Sequence, residues 1–199
     1  MPVCVCAGAG VAAAQDIRVE GGGGTLAPGV ENVVASAGPE FQACAREHGA
    51  RYVGGHVSLA VRVGTDGKKK DAWVAESDLG SWAVEKCLLG VARTLAFGAA
   101  KGGEVTVSVP VDLAAAAETA PMSPALQNDA LKKIQVVRRC GKLAKMTELT
   151  FYVGPGGQIL SSGFTRPPSE KWGDCAAEAM KKVVLADPRG QVVKGTLQP

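Results

Sequence analysis

Histidine is scarce in this chain: His48 and His56 are the only two among 199 residues, and aromatic side chains make up just 5%. A catalytic site built on an imidazole base therefore has two places to start. Cys-x-x-Cys spacing is missing as well, so the sequence offers no structural zinc site, and no metal or cofactor is expected. Gly21–Gly24 is not followed by Gly-Lys-Ser/Thr, and no strand pattern precedes it, which leaves a flexible linker rather than a phosphate loop. Long apolar runs are absent: nothing approaches the ~18 residues of a membrane-spanning helix. Charged residues are too few (21%), and apolar ones too many (46%), for a disordered chain. A net charge of +3 is too small to argue for nucleic acid.

That net charge is unevenly spread. Residues 15–113 carry 10 Lys+Arg against 12 Asp+Glu, whereas residues 114–199 carry 12 against 7. The contrast suggests two units.

Val3 to Ala14 is a short run of small and apolar residues, and Ala12-Ala13-Ala14 before Gln15 fits a small-x-small cleavage site. Residues 1–14 read as a signal peptide and 15–28 as a flexible linker. No Lys or Arg stands between Met1 and the apolar core, so either the signal is a weak one or the start lies upstream. Cleavage would remove Cys4 and Cys6 and leave Cys44, Cys87, Cys140 and Cys175, which allow three pairings. The expected location is periplasmic or secreted.

The remaining chain repeats one order of elements. Val30, Val33, Val34, Ala37, Phe41, Cys44 and Ala45 keep a helical rhythm, with Pro39 kinking that helix or starting a second one. Val57, Leu59, Val61 and Val63 then alternate with polar or small residues, Thr65-Asp66-Gly67 makes a turn, and Ala72, Val74 and Glu76 share one face of the return strand. Ser81 is placed to cap a helix carrying Val84, Cys87, Leu88, Val91 and Leu95. Val105, Val107, Val109 and Val111 mark a final strand. After an Ala/Thr/Pro-rich linker, 114–123, the order recurs. Ser123-Pro124 opens a helix with Leu126, Ala130, Leu131, Ile134, Val137 and Leu143; a hairpin turns at Gly154–Gly157; and Ser169 caps a helix with Trp172, Cys175, Ala176, Ala179 and Val183. Gln191–Leu197 closes the second unit. The fold class is α+β: two tandem small domains, 29–113 and 124–199, each helix–β-hairpin–helix–strand with a three-stranded antiparallel sheet.

In each unit one cysteine lies on the first helix and one on the second. That placement predicts Cys44–Cys87 and Cys140–Cys175, closing loops of 43 and 35 residues; four buried free thiols are the alternative.

Gly55-His56-Val57-Ser58-Leu59-Ala60-Val61-Arg62-Val63, followed by Asp66-Gly67, Trp73-Val74-Ala75-Glu76-Ser77, Cys87, Leu95-Ala96-Phe97 and the Glu104–Val111 strand, resembles a TonB-like C-terminal domain. It is most similar to the cysteine-containing version in myxobacterial envelope and gliding-motility proteins. The resemblance covers residues 30–113 well and 124–199 faintly, since Gly154-Pro155-Gly156-Gly157 and Arg166-Pro167-Pro168 depart from the pattern. It implies a periplasmic domain that docks on partners, often by adding a partner strand to its sheet. The membrane helix and Pro-rich spacer of energy transducers do not accompany it, so force transmission does not carry over.

The expected function is a non-enzymatic envelope module that binds a segment of another protein. Its site is expected at an exposed sheet edge over Val105, Thr106, Val107, Ser108 and Val109, where unpaired backbone groups would accept a strand; the alternative is that the second domain or the linker already covers this edge. A small hydrolase or transferase with a site between the domains is the rival, and it would need His48 or His56 beside a carboxylate and a hydroxyl or thiol. Lys68-Lys69-Lys70 are expected to keep the hairpin end soluble. Lys132, Lys133, Arg138, Arg139, Lys142 and Lys145 decorate the first helix of the second unit, as a solvated face or as a contact for an anionic surface. No nucleic acid and no stable membrane insertion are expected.

Overall fold

The computed structural model describes residues 17–20, 23–144 and 146–199, and the signal segment lies outside them. Pro39 has no amide hydrogen, so it ends one helix and begins another: α1 is Val30–Ser36 and α2 is Gly38–His48. The alternating segment forms β2 (Gly55–Val63), which pairs with β3 (Lys69–Ser77) as an antiparallel hairpin. Helix α3 (Trp82–Thr94) follows, and β4 (Val105–Leu113) returns antiparallel to β2 along its whole length, from Gly55↔Leu113 to Val63↔Val105. Val57, Leu59, Val61, Val105, Val107 and Val109 point to the helical layer and are at most 1% exposed.

The second half repeats this with β6 (Glu148–Val153), β7 (Ile159–Thr165), α5 (Glu170–Met180) and β8 (Val193–Leu197). Its first helix, α4 (Pro124–Lys133), is shorter than the apolar stripe suggests, because Ile134–Cys140 continues as a 3-10 segment. The fold is α+β. Each sheet has four strands rather than three, since β1 (Val19–Glu20) joins β4 antiparallel and β5 (Ala120–Pro121) joins β8 in parallel. The strand orders are β1-β4-β2-β3 and β5-β8-β6-β7. Both added strands come from stretches read as linkers. Thr25 is also held, exchanging two backbone bonds with Lys101.

The two hairpin turns share a backbone despite different residues. Gly64 N–H donates to Lys68 at 3.0 Å and Gly67 N–H to Gly64; Gly154 N–H donates to Gln158 at 2.9 Å and Gly157 N–H to Gly154. Gly67 and Gly157 sit at φ 74° and 81°, which only glycine adopts freely. Both predicted disulfides form, Cys44–Cys87 and Cys140–Cys175, each with Cα atoms 5.7 Å apart.

Three local readings need correction. Ser81 makes no side-chain cap; Ser123 and Ser169 do, accepting from Leu126 and Trp172 amides. Lys69 does not simply solubilise the hairpin: its ammonium caps α3 by donating to the carbonyls of Arg93 and Leu95. Finally, the β2–β3 register slips between Ser58↔Glu76 and Leu59↔Val74. This bulge turns Glu76 outward and brings Ser77 to the core side, where it is 8% exposed.

Candidate functional site

The segment singled out for partner binding, Val105–Val109, is a sheet edge already in use. Ser108 N–H donates to Arg18 at 2.8 Å, and the pairing continues through Val19↔Val107 and Glu20↔Thr106. Because backbone groups alternate along a strand, residues 106, 108, 110 and 112 all present theirs on this outer side. Pro110 has no N–H to offer there. The Asp112 carbonyl accepts from the Gln42 side-chain amide at 3.3 Å. The expectation of an exposed edge is thus corrected. Residues 106–108 carry the chain's own segment, a proline interrupts the edge next, and a side chain engages the carbonyl after that. Val105, Val107 and Val109 are core residues, so only Thr106, Ser108 and the backbone face outward. The Ser108 hydroxyl lies 2.9 Å from that of Ser58.

The cover itself is slight. Val19 is 44% exposed, and its short strand adds little apolar burial. The Pro110 interruption was legible in the sequence; what the sequence withheld was which side of the strand that missing donor would face.

His56 lies at the start of β2. Its Nδ1 is 2.9 Å from Asp112 Oδ1, and its backbone N–H donates to Asp78 at 2.6 Å. This supplies the carboxylate that a hydrolase would need. Among the described residues, no hydroxyl or thiol is hydrogen-bonded to the ring. His48 is exposed at the end of α2.

The contact between the two halves is built from the inner edges of the two sheets and the helices behind them. Arg166 N–H donates to Val74 and its Nε to Ala75, while the Thr165 hydroxyl donates to the Ser77 carbonyl and accepts from the Ser77 amide. Glu85 on α3 is fully buried here. It accepts from the Ser77 hydroxyl at 2.7 Å and from the Phe164 amide at 3.0 Å. Burial, reinforced by the negative charge of Asp78, pushes its carboxyl up to about 7, with the two hydrogen bonds opposing. The side chain fits only because Gly163 lies opposite: a Cβ there would stand 2.1 Å from Glu85 Oε1.

Around this buried acid, Trp82, Phe164 and Trp172 pack edge to face, with centroids 6.0 and 5.1 Å apart. Lys86 and Asp174, each just before the second cysteine of its unit, pair at 2.8 Å, and Asp174 also accepts from the Trp82 indole. Those hydrogen bonds hold the Asp174 carboxyl below its usual range. Arg93 reaches Glu170. At the other end, burial pushes the Tyr152 phenol up to about 12; its ring packs tilted against Tyr52, and its hydroxyl reaches the Gly54 carbonyl. Sequence reasoning missed this whole contact, because Glu85 reads as a solvent-facing helix residue.

Of the basic residues expected on the first helix of the second unit, Lys132 and Lys133 lie on α4, Arg138 and Arg139 on the 3-10 segment and Lys142 just beyond it; all five are exposed, and Lys145 falls outside the described residues. Lys133 is committed to Asp129 at 3.0 Å and to the Val184 carbonyl. Its ammonium draws the Asp129 carboxyl down. Among the described residues no group of His, Cys, Asp and Glu could hold a metal ion, and no helix is long and apolar enough to cross a membrane. No protein-family model, curated protein or solved structure matches the chain.

Proposed function

We propose that this chain is a non-enzymatic protein-interaction module of an oxidising, extracytoplasmic compartment, periplasmic or secreted. It holds an extended segment of another protein on the outer edge of β4. The observation that carries this reading is the Arg18–Glu20 segment: an extended stretch already lies there, bonded through its backbone, with Arg18 and Val19 exposed. Main-chain pairing tolerates many sequences, so a partner segment can take its place. Each backbone bond is worth only about 0.5–1.5 kcal/mol net, so displacing β1 is cheap. The TonB-like resemblance points the same way, and the two disulfides suit an oxidising location.

The test uses the full chain with Glu20→Pro, which removes a donor from β1 and frees the edge. A synthetic peptide spanning residues 17–25 of this chain is titrated in, and backbone amides are followed by NMR. The expected result is saturable binding, with the Thr106 and Ser108 amides shifting most, and its loss when Ser108→Pro is added. No shift at Thr106 and Ser108 with a folded variant and excess peptide refutes the reading.

A further inference from the structure

The helical layer of the second unit (α4, the 3-10 segment and α5) carries a set of charges that the edge site does not use. Its four carboxylates are all committed. Asp129 pairs with Lys133 and Glu178 with Lys181, while Glu170 and Asp174 are taken by Arg93 and Lys86 from the first unit. Cations are left over. Lys132, Arg138, Arg139, Lys142, Lys171 and Lys182 are exposed and, among the described residues, meet no carboxylate within 4 Å. The Cys140–Cys175 disulfide ties the 3-10 segment to α5, which keeps Arg138, Arg139 and Lys142 beside the exposed side of that helix.

On α1 and α2 of the first unit the balance is acidic: Glu31, Glu40 and Glu47 are exposed against Arg46, and none of the four has an ion-pair partner among the described residues. Between the two helical layers, the excess of cations therefore belongs to that of the second unit.

Protruding aliphatics accompany these cations. Leu131 adjoins Lys132 and is 39% exposed; Met146 lies beyond Lys142 and is 58% exposed. Val184, two residues after Lys182, is 56% exposed, and its carbonyl is held by Lys133. A soluble polyanion would satisfy the charges and leave these side chains in water. The interfacial zone of a bilayer accepts both. The geometry points to this layer as a peripheral docking face for an anionic lipid bilayer, adsorbed without insertion. Docked this way, the second unit anchors the molecule and the first unit carries the β4 edge.

The test is sedimentation of the full chain with phosphatidylcholine vesicles, pure or with about a quarter phosphatidylglycerol, since each cation near such a surface is worth about fivefold in partitioning. Partitioning onto the anionic vesicles only, lost at high salt, is expected. The triple variant Arg138→Gln, Arg139→Gln, Lys142→Gln should bind roughly 100-fold more weakly on the same per-charge basis. The pair Leu131→Ser, Val184→Ser should also bind more weakly than the parent. The proposal is overturned by absence of binding to anionic vesicles, or by a triple variant that binds as the parent does. It is equally overturned if soluble polyglutamate binds as tightly as the vesicles, or if the serine pair partitions unchanged, since either makes the face a site for soluble polyanions.

Discussion

Glu85 gives the contact between the two halves a built-in dependence on pH. Its carboxyl titrates near 4.5 when exposed and at about 7 in the folded protein, where it is sealed beneath Ser77 and Phe164. That difference corresponds to about 3 kcal/mol between the protonated and ionised folded forms. The sign follows from which state holds the proton more tightly. Between the two values the folded chain keeps it and the unfolded chain does not, so stability falls as pH rises. The contribution is fully present below 4.5 and has gone once pH passes about 7. Glu85→Gln removes the titration. Its amide can mimic the protonated acid, accepting from the Phe164 amide with its oxygen and donating to the Ser77 hydroxyl with its nitrogen. Urea unfolding of both proteins across this range, disulfides intact, isolates the effect, because every other titrating group cancels in the difference. The stability of Glu85→Gln relative to the parent should rise by about 3 kcal/mol from acid to alkaline pH. Parallel curves for the two proteins would refute the argument.

Two further outcomes follow from the same geometry. Replacing Cys44 and Cys87 by alanine opens a 43-residue loop and should cost about 4 kcal/mol of unfolding free energy; a loss under about 1 kcal/mol by chemical denaturation would contradict the loop-entropy account. Gly163→Ala places a methyl 2.1 Å from Glu85 Oε1 and 2.7 Å from the Ser81 amide, so it should destabilise by about 1–3 kcal/mol; unchanged thermal unfolding would show that β7 can withdraw from α3.

What the sequence made legible depended on repetition and period. The valines at 105, 107, 109 and 111 alternate over a regular stretch of sheet and need no tertiary knowledge to be read. The cysteine pairs follow from two helices per unit carrying one cysteine each. On α3 the apolar stripe is legible only in part: Val84, Leu88 and Leu95 are buried and Cys87 and Val91 are packed against the core, but Trp82, Glu85 and Leu89 are buried too. Helix α3 packs on two sides, against its own sheet and against β7, and a single-face pattern cannot reveal the second. Ser77 was hidden for another reason. One extra residue in a bulge reverses the facing of everything beyond it, and nothing in Trp73–Ser77 announces where the slip occurs. Glu85 then combines both difficulties, being a charged residue on the unexpected side of a helix, held by a serine on the unexpected side of a strand.

Two open sheets in one chain would offer four edges to neighbouring molecules, each a template for uncontrolled strand pairing. Here β3 and β7 occupy one another, and the two-residue strands β1 and β5 lie along the others. Colloidal behaviour thus rests on very few residues. Nicking the chain between residues 20 and 25 would release β1 while leaving both cores and both disulfides untouched. The product would remain folded by any spectroscopic measure, yet it would present bare main chain at Thr106–Ser108. Such a clip would leave a chain whose solubility falls with concentration.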